Sequence, residues 1–266
     1  MIDAMQTVWK GTISFGLVSI PVKLVSATQE KDVSFRQVRA SDGSRVRYRR
    51  VAEADGEEVP YSEIAKGYEL PDGGMVVLTD DDLANLPVAS SKAVDVVQFV
   101  DAGEIDPAAY SRPYYAIPAG DAKPYVLLRD ALAASDKVAV VKLALRSRER
   151  LAVLRPADDS LVVQTMLWPD EVRSVELPDE VSEVEPRAQE LAMADSFIEA
   201  LSGPWEPESY TDDYRAALEE LVEAKVAGRE VVMPPEAEGE QAEVVDLMEA
   251  LRKSVDEAKK RKADSA

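Results

Sequence analysis

The sequence contains no cysteine and no histidine. The absence of cysteine excludes disulfides, zinc–thiolate sites and thiol catalysis, and it is compatible with a reducing cytoplasm. The absence of histidine removes the commonest general base and the commonest metal ligand. We therefore expect a protein that is not an enzyme, with no catalytic residue, no metal site and no cofactor.

The sequence also lacks the motifs of common nucleotide-dependent and hydrolytic enzymes. It has no GxxxxGK[ST], GxGxxG, GxSxG or HExxH. The apolar stretch over residues 11–20 is too short and too interrupted to span a membrane, and nothing at the N-terminus is typical of a signal peptide. We expect a soluble cytoplasmic protein with no membrane partner.

Basic residues are scarce and unevenly placed. The 266 residues include 51 acidic and 31 basic side chains, a formal net charge of −20, while 46% are hydrophobic and can form a substantial core. Residues 31–50 hold seven basic and two acidic side chains, a balance of +5, so the rest of the chain carries −25. A basic island in an acidic chain is the electrostatic footprint of a confined nucleic-acid-binding face.

Periodicity favours the same interpretation. Residues 44–51 alternate after an Asp42-Gly43 turn, which predicts a strand with Arg45, Arg47 and Arg49 on one face and Val46 and Tyr48 on the other. Side chains on one face of a strand are roughly 6–7 Å apart, close to the spacing of phosphates along DNA.

A second predicted hairpin repeats the pattern. Its apolar residues Val141, Leu143 and Leu145 face inward, whereas Lys142 and Arg146 face outward and the turn carries Arg148 and Arg150. Bases would stack on aromatic side chains, and none is interleaved on the basic face, so contact with the backbone of duplex DNA is favoured over single strands. The alternative is that these arginines are ordinary solvated faces of two hairpins. The candidate DNA-binding residues are Lys31, Arg36, Arg39, Arg45, Arg47, Arg49, Arg50, Lys142, Arg146, Arg148 and Arg150.

The first two thirds of the chain predict many short strands, typical of a barrel or a folded sheet. Short helices are expected near residues 79–86 and 124–134. The strands are expected over residues 12–24, interrupted by Pro21, and over 75–78, 93–100, 114–117, 137–146, 151–155 and 161–167.

The last third predicts helices. Residues 188–201 place Leu191, Ala194, Ile198 and Leu201 at helical spacing, and a second helix begins at a cap on Thr211 or Asp212 and stops at Gly228. An acidic linker follows over residues 231–241. Residues 242–266 form a final amphipathic helix with a short basic tail, whose apolar stripe either docks on a partner or packs on its own chain. The stripe consists of Val244, Leu247, Met248, Leu251 and Val255.

Several long strings resemble bacterial Ku proteins, and the similarity runs from about residue 8 to about residue 255. The strings are VWKGTISFGLVSIPVKL at 8–24, EADGEEVPY at 53–61, KGYE at 66–69, RPYY at 112–115, RERLAVLRP at 148–156 and EAKVAG at 223–228.

The resemblance implies an α+β fold, with a β-barrel core over about residues 1–180 and a C-terminal helical arm over about 181–230, two copies of which form a closed ring. It implies a homodimer that encircles double-stranded DNA ends in non-homologous end joining and recruits the ATP-dependent DNA ligase D. It further implies that the arginines at 45, 47 and 49, with Lys142, Arg146 and Arg148, line the channel, and that residues 244–255 contact the ligase.

Three other functions stay open from the residues alone. One is a phage-type protector of DNA ends without repair partners, and another is an acidic protein-interaction scaffold. The third is a carboxylate-dependent nuclease. The two clusters of acidic residues are weak evidence for a nuclease site. Residues 79–82 are typical of a helix cap and residues 53–58 of a turn.

Overall fold

A computed structural model describes residues 6–86, 92–145, 148–228 and 247–264. These residues fall into two compact units. One unit comprises the chain up to Lys31 together with Phe35–Ser174, and the other comprises Asp32–Ser34 together with the chain from Val175 onward. The predicted acidic linker at residues 231–241 lies outside the described residues.

The first unit is built on a closed barrel of seven strands in the order β1-β2-β6-β9-β8-β7-β5, with β3 and β4 forming a separate two-stranded sheet. The strands are β1 (Thr7–Phe15), β2 (Val18–Ser26), β3 (Lys66–Glu69), β4 (Met75–Leu78), β5 (Ala93–Asp101), β6 (Tyr110–Pro118), β7 (Lys137–Leu145), β8 (Arg148–Ala157) and β9 (Ser160–Met166). The prediction of a barrel is therefore confirmed.

The prediction of one interrupted strand over residues 12–24 is wrong. The chain turns back at Gly16 and Leu17, where Gly16 has a φ of 58°, and β1 pairs antiparallel with β2. A side chain is strained at that φ, which explains the glycine. Pro21 lies inside β2 opposite Thr12 rather than between two strands.

The barrel closes where β1 and β5 run parallel, with Thr12 opposite Ala93. Gly11 precedes this seam, and a Cβ atom there would collide with the carbonyl oxygen of Lys92 and the ring of Trp9. The backbone of Thr12 donates to that same carbonyl at 2.8 Å. Only glycine allows the two strands to approach this closely.

The interior of the barrel is filled by the alternate side chains of its strands. In β7, Val141, Leu143 and Leu145 are buried as predicted, while Lys142 is only half-buried. The core is continued by Ile13 from β1 and by other side chains that are at most 2% exposed. These include Ile20, Leu24, Val94, Leu154, Leu161 and Val163.

Helix α2 (Ala122–Ser135) joins this core through Tyr125, Leu128 and Leu132. The hydroxyl of Tyr125 donates to the carbonyl oxygen of Ala116 on β6 and accepts from the backbone of Leu161 on β9, both at 2.7 Å. Burial raises the pKa of this hydroxyl above its usual value. The neutral hydroxyl thus bridges the backbones of β6 and β9 by hydrogen bonds.

Residues 26–86 leave the barrel between β2 and β5. They contain the predicted turns at Gly43, Gly56 and Gly73, all with positive φ, and helix α1 (Asp80–Ala84), capped by Thr79 as expected. No side chain of this segment is buried. The predicted strand over 44–51 is wrong, because the structure has only isolated bridges from Val38 to Arg45 and from Val51 to Glu58.

The second unit is helical, with α3 (Asp179–Ser182), α4 (Ala188–Leu201), α5 (Asp213–Val226) and α6 (Leu247–Asp264). The α4 helix has the predicted bounds, and α5 begins at an Asp212 cap. Of the apolar residues at helical spacing in α4, Leu191, Ile198 and Leu201 are 52–62% exposed. The half-buried side chains of α4 include Met193, Ala194, Phe197 and Ala200. Helix α6 packs against α4.

Among the described residues, no helix combines the length and hydropathy needed to cross a bilayer.

We predict that Gly11→Ala lowers the free energy of unfolding by about 1–3 kcal/mol, because the new methyl group forces the β1–β5 seam apart. Chemical denaturation monitored by circular dichroism measures this loss. Gly103→Ala is the matched control, since a Cβ there meets nothing within 4 Å. Equal stability of the two variants would contradict the role of the seam.

Candidate nucleic-acid interface

Residues 31–50, called the basic segment from here on, follow β2 where that strand ends at one end of the barrel. Strand β2 ends at Ser26 opposite Tyr114, and the backbone of Ala27 donates to the carbonyl oxygen of Pro113 at 3.2 Å. The chain then doubles back at Gly43, where the backbone of Val46 donates to the carbonyl oxygen of Gln37 at 3.0 Å. Residues 37–39 and 44–46 therefore lie side by side.

This doubling back brings three of the predicted DNA-binding residues together. Arg36, Arg45 and Arg47 line one surface pocket of about 480 Å³, together with Phe35, Gln37, Val46 and Tyr48. The hydroxyl of Tyr48 donates to the side-chain oxygen of Gln37, which ties the two halves of the turn. None of the three arginines forms an ion pair with any residue that the structure describes.

Other arginines of the basic segment have partners within it or shortly after it in the chain. Arg39 is 2.7 Å from a carboxylate oxygen of Asp42, and Arg49 is 3.4 Å from one of Glu58. Hydrogen bonds from the backbone and side chain of Ser44, and then from Arg39, hold the pKa of Asp42 below its usual value. Arg50 lies 5.4 Å from the centre of the Tyr61 ring.

Val46 and Tyr48 were expected to form an apolar face beneath the arginines. In the single chain they are 47% and 78% exposed, so the basic segment has no core of its own. Lys31 is also exposed.

The predicted second hairpin is present as β7 and β8, although Arg146 lies outside the described residues. Lys142 faces away from the core as predicted, but its ammonium is 3.5 Å from a carboxylate oxygen of Glu149 and 5.5 Å from the centre of the Trp168 ring. Its charge is therefore partly neutralised. Arg148 and Arg150 occupy the start of β8.

Arg112 was not identified from the sequence as a site residue, yet it joins Arg148 and Arg150 in lining a cavity of about 420 Å³. The pairing of β6 with β9 shifts register between Tyr110 and Pro113, which places Arg112 in a bulge. Thr165 on β9 accepts from the backbone N–H of Arg112 at 2.9 Å and donates to its carbonyl oxygen at 3.0 Å. Periodicity along a single strand carries no signal for such a bulge.

The basic segment leaves the barrel at the end where this cavity lies. The cavity is formed where β6 and β8 begin and where β7 and β9 end. Strand β2 also ends there, beside the start of β6. The basic segment therefore starts from the end of the barrel that carries Arg112, Arg148 and Arg150.

The residues predicted to contact a partner ligase differ in how far they are exposed. Val244 lies outside the described residues, and Leu247 begins α6. Met248 and Leu251 are half-buried, and Val255 is 6% exposed. Since α6 packs against α4, Val255 is buried by its own chain. Packing of the stripe on its own chain is the alternative that the sequence left open.

No group of three or more acidic residues within the described ranges is arranged to hold a metal ion.

The closed barrel and its cationic end define a β-barrel protein with a candidate anion-binding face. Residues 14–193 match the family described as the Ku70/Ku80 beta-barrel domain. The chain is 57% identical to a non-homologous end joining protein Ku of Frankia casuarinae, covering 94% of this chain and 63% of that protein. It is 40% identical to the Mycobacterium tuberculosis protein of the same name, covering 94% and 95%, and 38% identical to that of Bacillus subtilis, covering 96% and 83%. The chain belongs to the Ku family.

We predict that Arg45→Gln combined with Arg47→Gln weakens binding to duplex DNA uniformly across sequences. Each arginine that contacts a phosphate adds about one to the slope of log affinity against log salt. The slope should therefore fall by about two for each chain bound. Fluorescence anisotropy across a salt series measures it.

The matched control for this experiment is Arg187→Gln combined with Arg252→Gln, which makes the same charge change in the helical unit. An equal loss of affinity in the control would mean that net charge, rather than these two arginines, controls binding.

Proposed function

We propose that this chain binds double-stranded DNA ends without sequence specificity and acts in non-homologous end joining. The observation that carries the proposal is the segregation of charge. Arginines without ion-pair partners among the described residues line one pocket in the basic segment and one cavity at an end of the barrel, in a chain that carries −25 outside residues 31–50. Guanidinium groups bind phosphate oxygens bidentately, and phosphate contacts carry no sequence information.

The proposed assembly is a homodimer. The segment over residues 26–86 has no buried side chain, and its apolar residues Phe35, Tyr48 and Val77 are 69%, 78% and 63% exposed. Such a segment gains too little from burial within its own chain to offset the entropy of ordering it. A second copy of the chain supplies the missing surface and doubles the number of arginines around one duplex.

End specificity then follows from topology. A closed ring made by the two segments admits a duplex only at a free end, so no contact with the bases is needed. The acidic remainder of the chain disfavours DNA on the outside of the ring, because like charges repel. Retention of DNA depends on closure of the ring as well as on ion pairing.

We predict that a linear duplex competes for the protein far better than a covalently closed circle of equal length and sequence. We also expect affinity to fall steeply with salt, with a slope of about −0.9 for each neutralised phosphate. Competition gel-shift assays over a salt series measure both quantities. Equal competition by the circle would contradict encirclement, and salt-insensitive binding would contradict phosphate contact.

The second part of the proposal is recruitment of an ATP-dependent DNA ligase, such as ligase D, through the helical unit. Support comes from the amphipathic α6 helix, whose residues Met248 and Leu251 are only half-buried. Because Val255 is already covered, contact through the whole stripe requires α6 to move from α4. The exposed edge of α6 can be reached without that movement.

We predict that deletion of residues 241–266 leaves binding of DNA ends intact and removes stimulation of the ligase. The barrel unit retains its arginines, whereas the partner helix is lost. The ligation rate of linear duplex with purified ligase D is the readout. Lys225→Ala, at an exposed position on α5, is the control and should stimulate normally. Unchanged stimulation by the deleted protein would reject the role of this helix.

A further inference from the structure

The cavity lined by Arg112, Arg148 and Arg150 differs from the open basic surface at Arg36, Arg45 and Arg47. Its lining includes Tyr114, Leu145, Thr165 and Met166, each of which is 6–8% exposed. The floor of the cavity therefore lies within the end of the barrel, and the arginines form its rim. Its volume of about 420 Å³ is near the lower end of the range for small-ligand sites, about 300–1,000 Å³.

The charge of this cavity is strongly positive and uncompensated. Three guanidinium groups line it, and no acidic residue is among the described residues of its wall. Guanidinium groups bind phosphate oxygens bidentately, with stronger hydrogen bonds than neutral donors form. Three of them match a doubly charged anion better than a singly charged one.

The recessed shape discriminates between two kinds of phosphate. A phosphodiester within a duplex carries one negative charge and has a sugar on each side, so proteins contact it along a surface. A phosphate at the end of a strand has one free side and carries a charge of about −1.5 to −2 at neutral pH. Only the terminal group can enter a cavity with its charged oxygens leading.

We propose that this cavity binds the terminal phosphomonoester of a DNA strand. The inference rests on the proposed binding of DNA ends and deepens it, because it gives the ring a contact that exists only at an end. Arg112, Arg148 and Arg150 hold the phosphate oxygens. Thr165 is a positioning residue, since both of its hydrogen bonds hold the backbone of Arg112.

The test uses hairpin duplexes with a single free end that carries a 5′-phosphate, a 3′-phosphate or only hydroxyl groups. We expect the wild-type protein to bind one phosphorylated end about tenfold more tightly than the hydroxyl end, the effect of one added charge-assisted contact. Arg112→Gln and Arg150→Gln should remove this preference, which is measured for each variant as the ratio of its affinities for the phosphorylated and the hydroxyl end. Arg155→Gln, on the same strand but outside the cavity, should retain it.

The role of Thr165 has its own pair of variants. Thr165→Val keeps the shape of the side chain and removes the hydroxyl, so the preference for a phosphorylated end should fall. Thr165→Ser keeps the hydroxyl and should restore the preference. If valine and serine variants behave alike, Thr165 does not position Arg112.

The pH dependence provides a readout that a merely structural role would not move. The second ionisation of a phosphomonoester has a pKa of about 6, and the chain has no histidine. The ionisable residues among the described lining of the cavity are three arginines and Tyr114, with no carboxylate. The preference should therefore weaken as the pH falls from about 7.5 to about 5.5 and the dianion takes up a proton.

The outcomes separate this inference from the function on which it rests. No binding to any hairpin would reject the proposed DNA-end binding itself. Equal binding to phosphorylated and hydroxyl ends would reject only the terminal-phosphate site. Competition by 2′-deoxyadenosine 5′-monophosphate that abolishes the preference supports the site. Binding of this nucleotide without any preference among the hairpins would mean that the cavity takes free phosphomonoesters and not strand ends.

Discussion

The close approach of β1 to β5 is the constraint on which the remaining structure depends. The barrel closes only because Gly11 leaves room for the carbonyl of Lys92, and closure brings the strand ends of β6, β8 and β9 into one ring. Arg112 lies on β6, whereas Arg148 and Arg150 lie on β8, with β9 between the two strands, and the curvature of the sheet brings them to one cavity. A flat sheet with the same sequence would spread them apart.

An acidic chain can bind an anion at a basic site because repulsion by its acidic side chains weakens with distance. At physiological ionic strength the Debye length is about 8 Å, so charges farther away are largely screened. An arginine that contacts a phosphate acts within that distance, so acidic side chains farther away than the Debye length oppose it only weakly. Asp42 within the basic segment and Glu58 just after it form ion pairs with Arg39 and Arg49. Arginines that have no ion-pair partner among the described residues carry a charge that a ligand can meet.

Much of the fold could be predicted from the sequence, and the exceptions have physical causes. The strands from β5 to β9 and the helices α2, α4 and α5 follow from alternating or helical apolar periodicity, since each packs one face on a core. The strand over 44–51 fails because its alternation has no core to face in one chain. The sequence does not predict which face of α4 is covered, because α4 packs against α6, which lies far along the sequence.

The candidate site follows the same division. Arg36, Arg45 and Arg47 could be found because their charges are adjacent in sequence within an acidic chain. Arg112 stands alone among apolar and polar neighbours, and only the bulge held by Thr165 and the pairing of distant strands bring it to Arg148 and Arg150. Local density of charge is visible in a sequence, whereas convergence across a barrel is a property of the closed sheet.

The long segment between β2 and β5 has a consequence for how the molecule is assembled. The entropy of closing a loop grows slowly with its length, so the barrel can form around an insertion of this size at little cost. All seven barrel strands belong to one chain, so we expect the barrel to fold without a second chain. Residues 26–86 have no core of their own, and under the proposed dimer their order depends on how often two chains meet. Under that proposal, the surface offered to a duplex is produced by mass action after folding is complete.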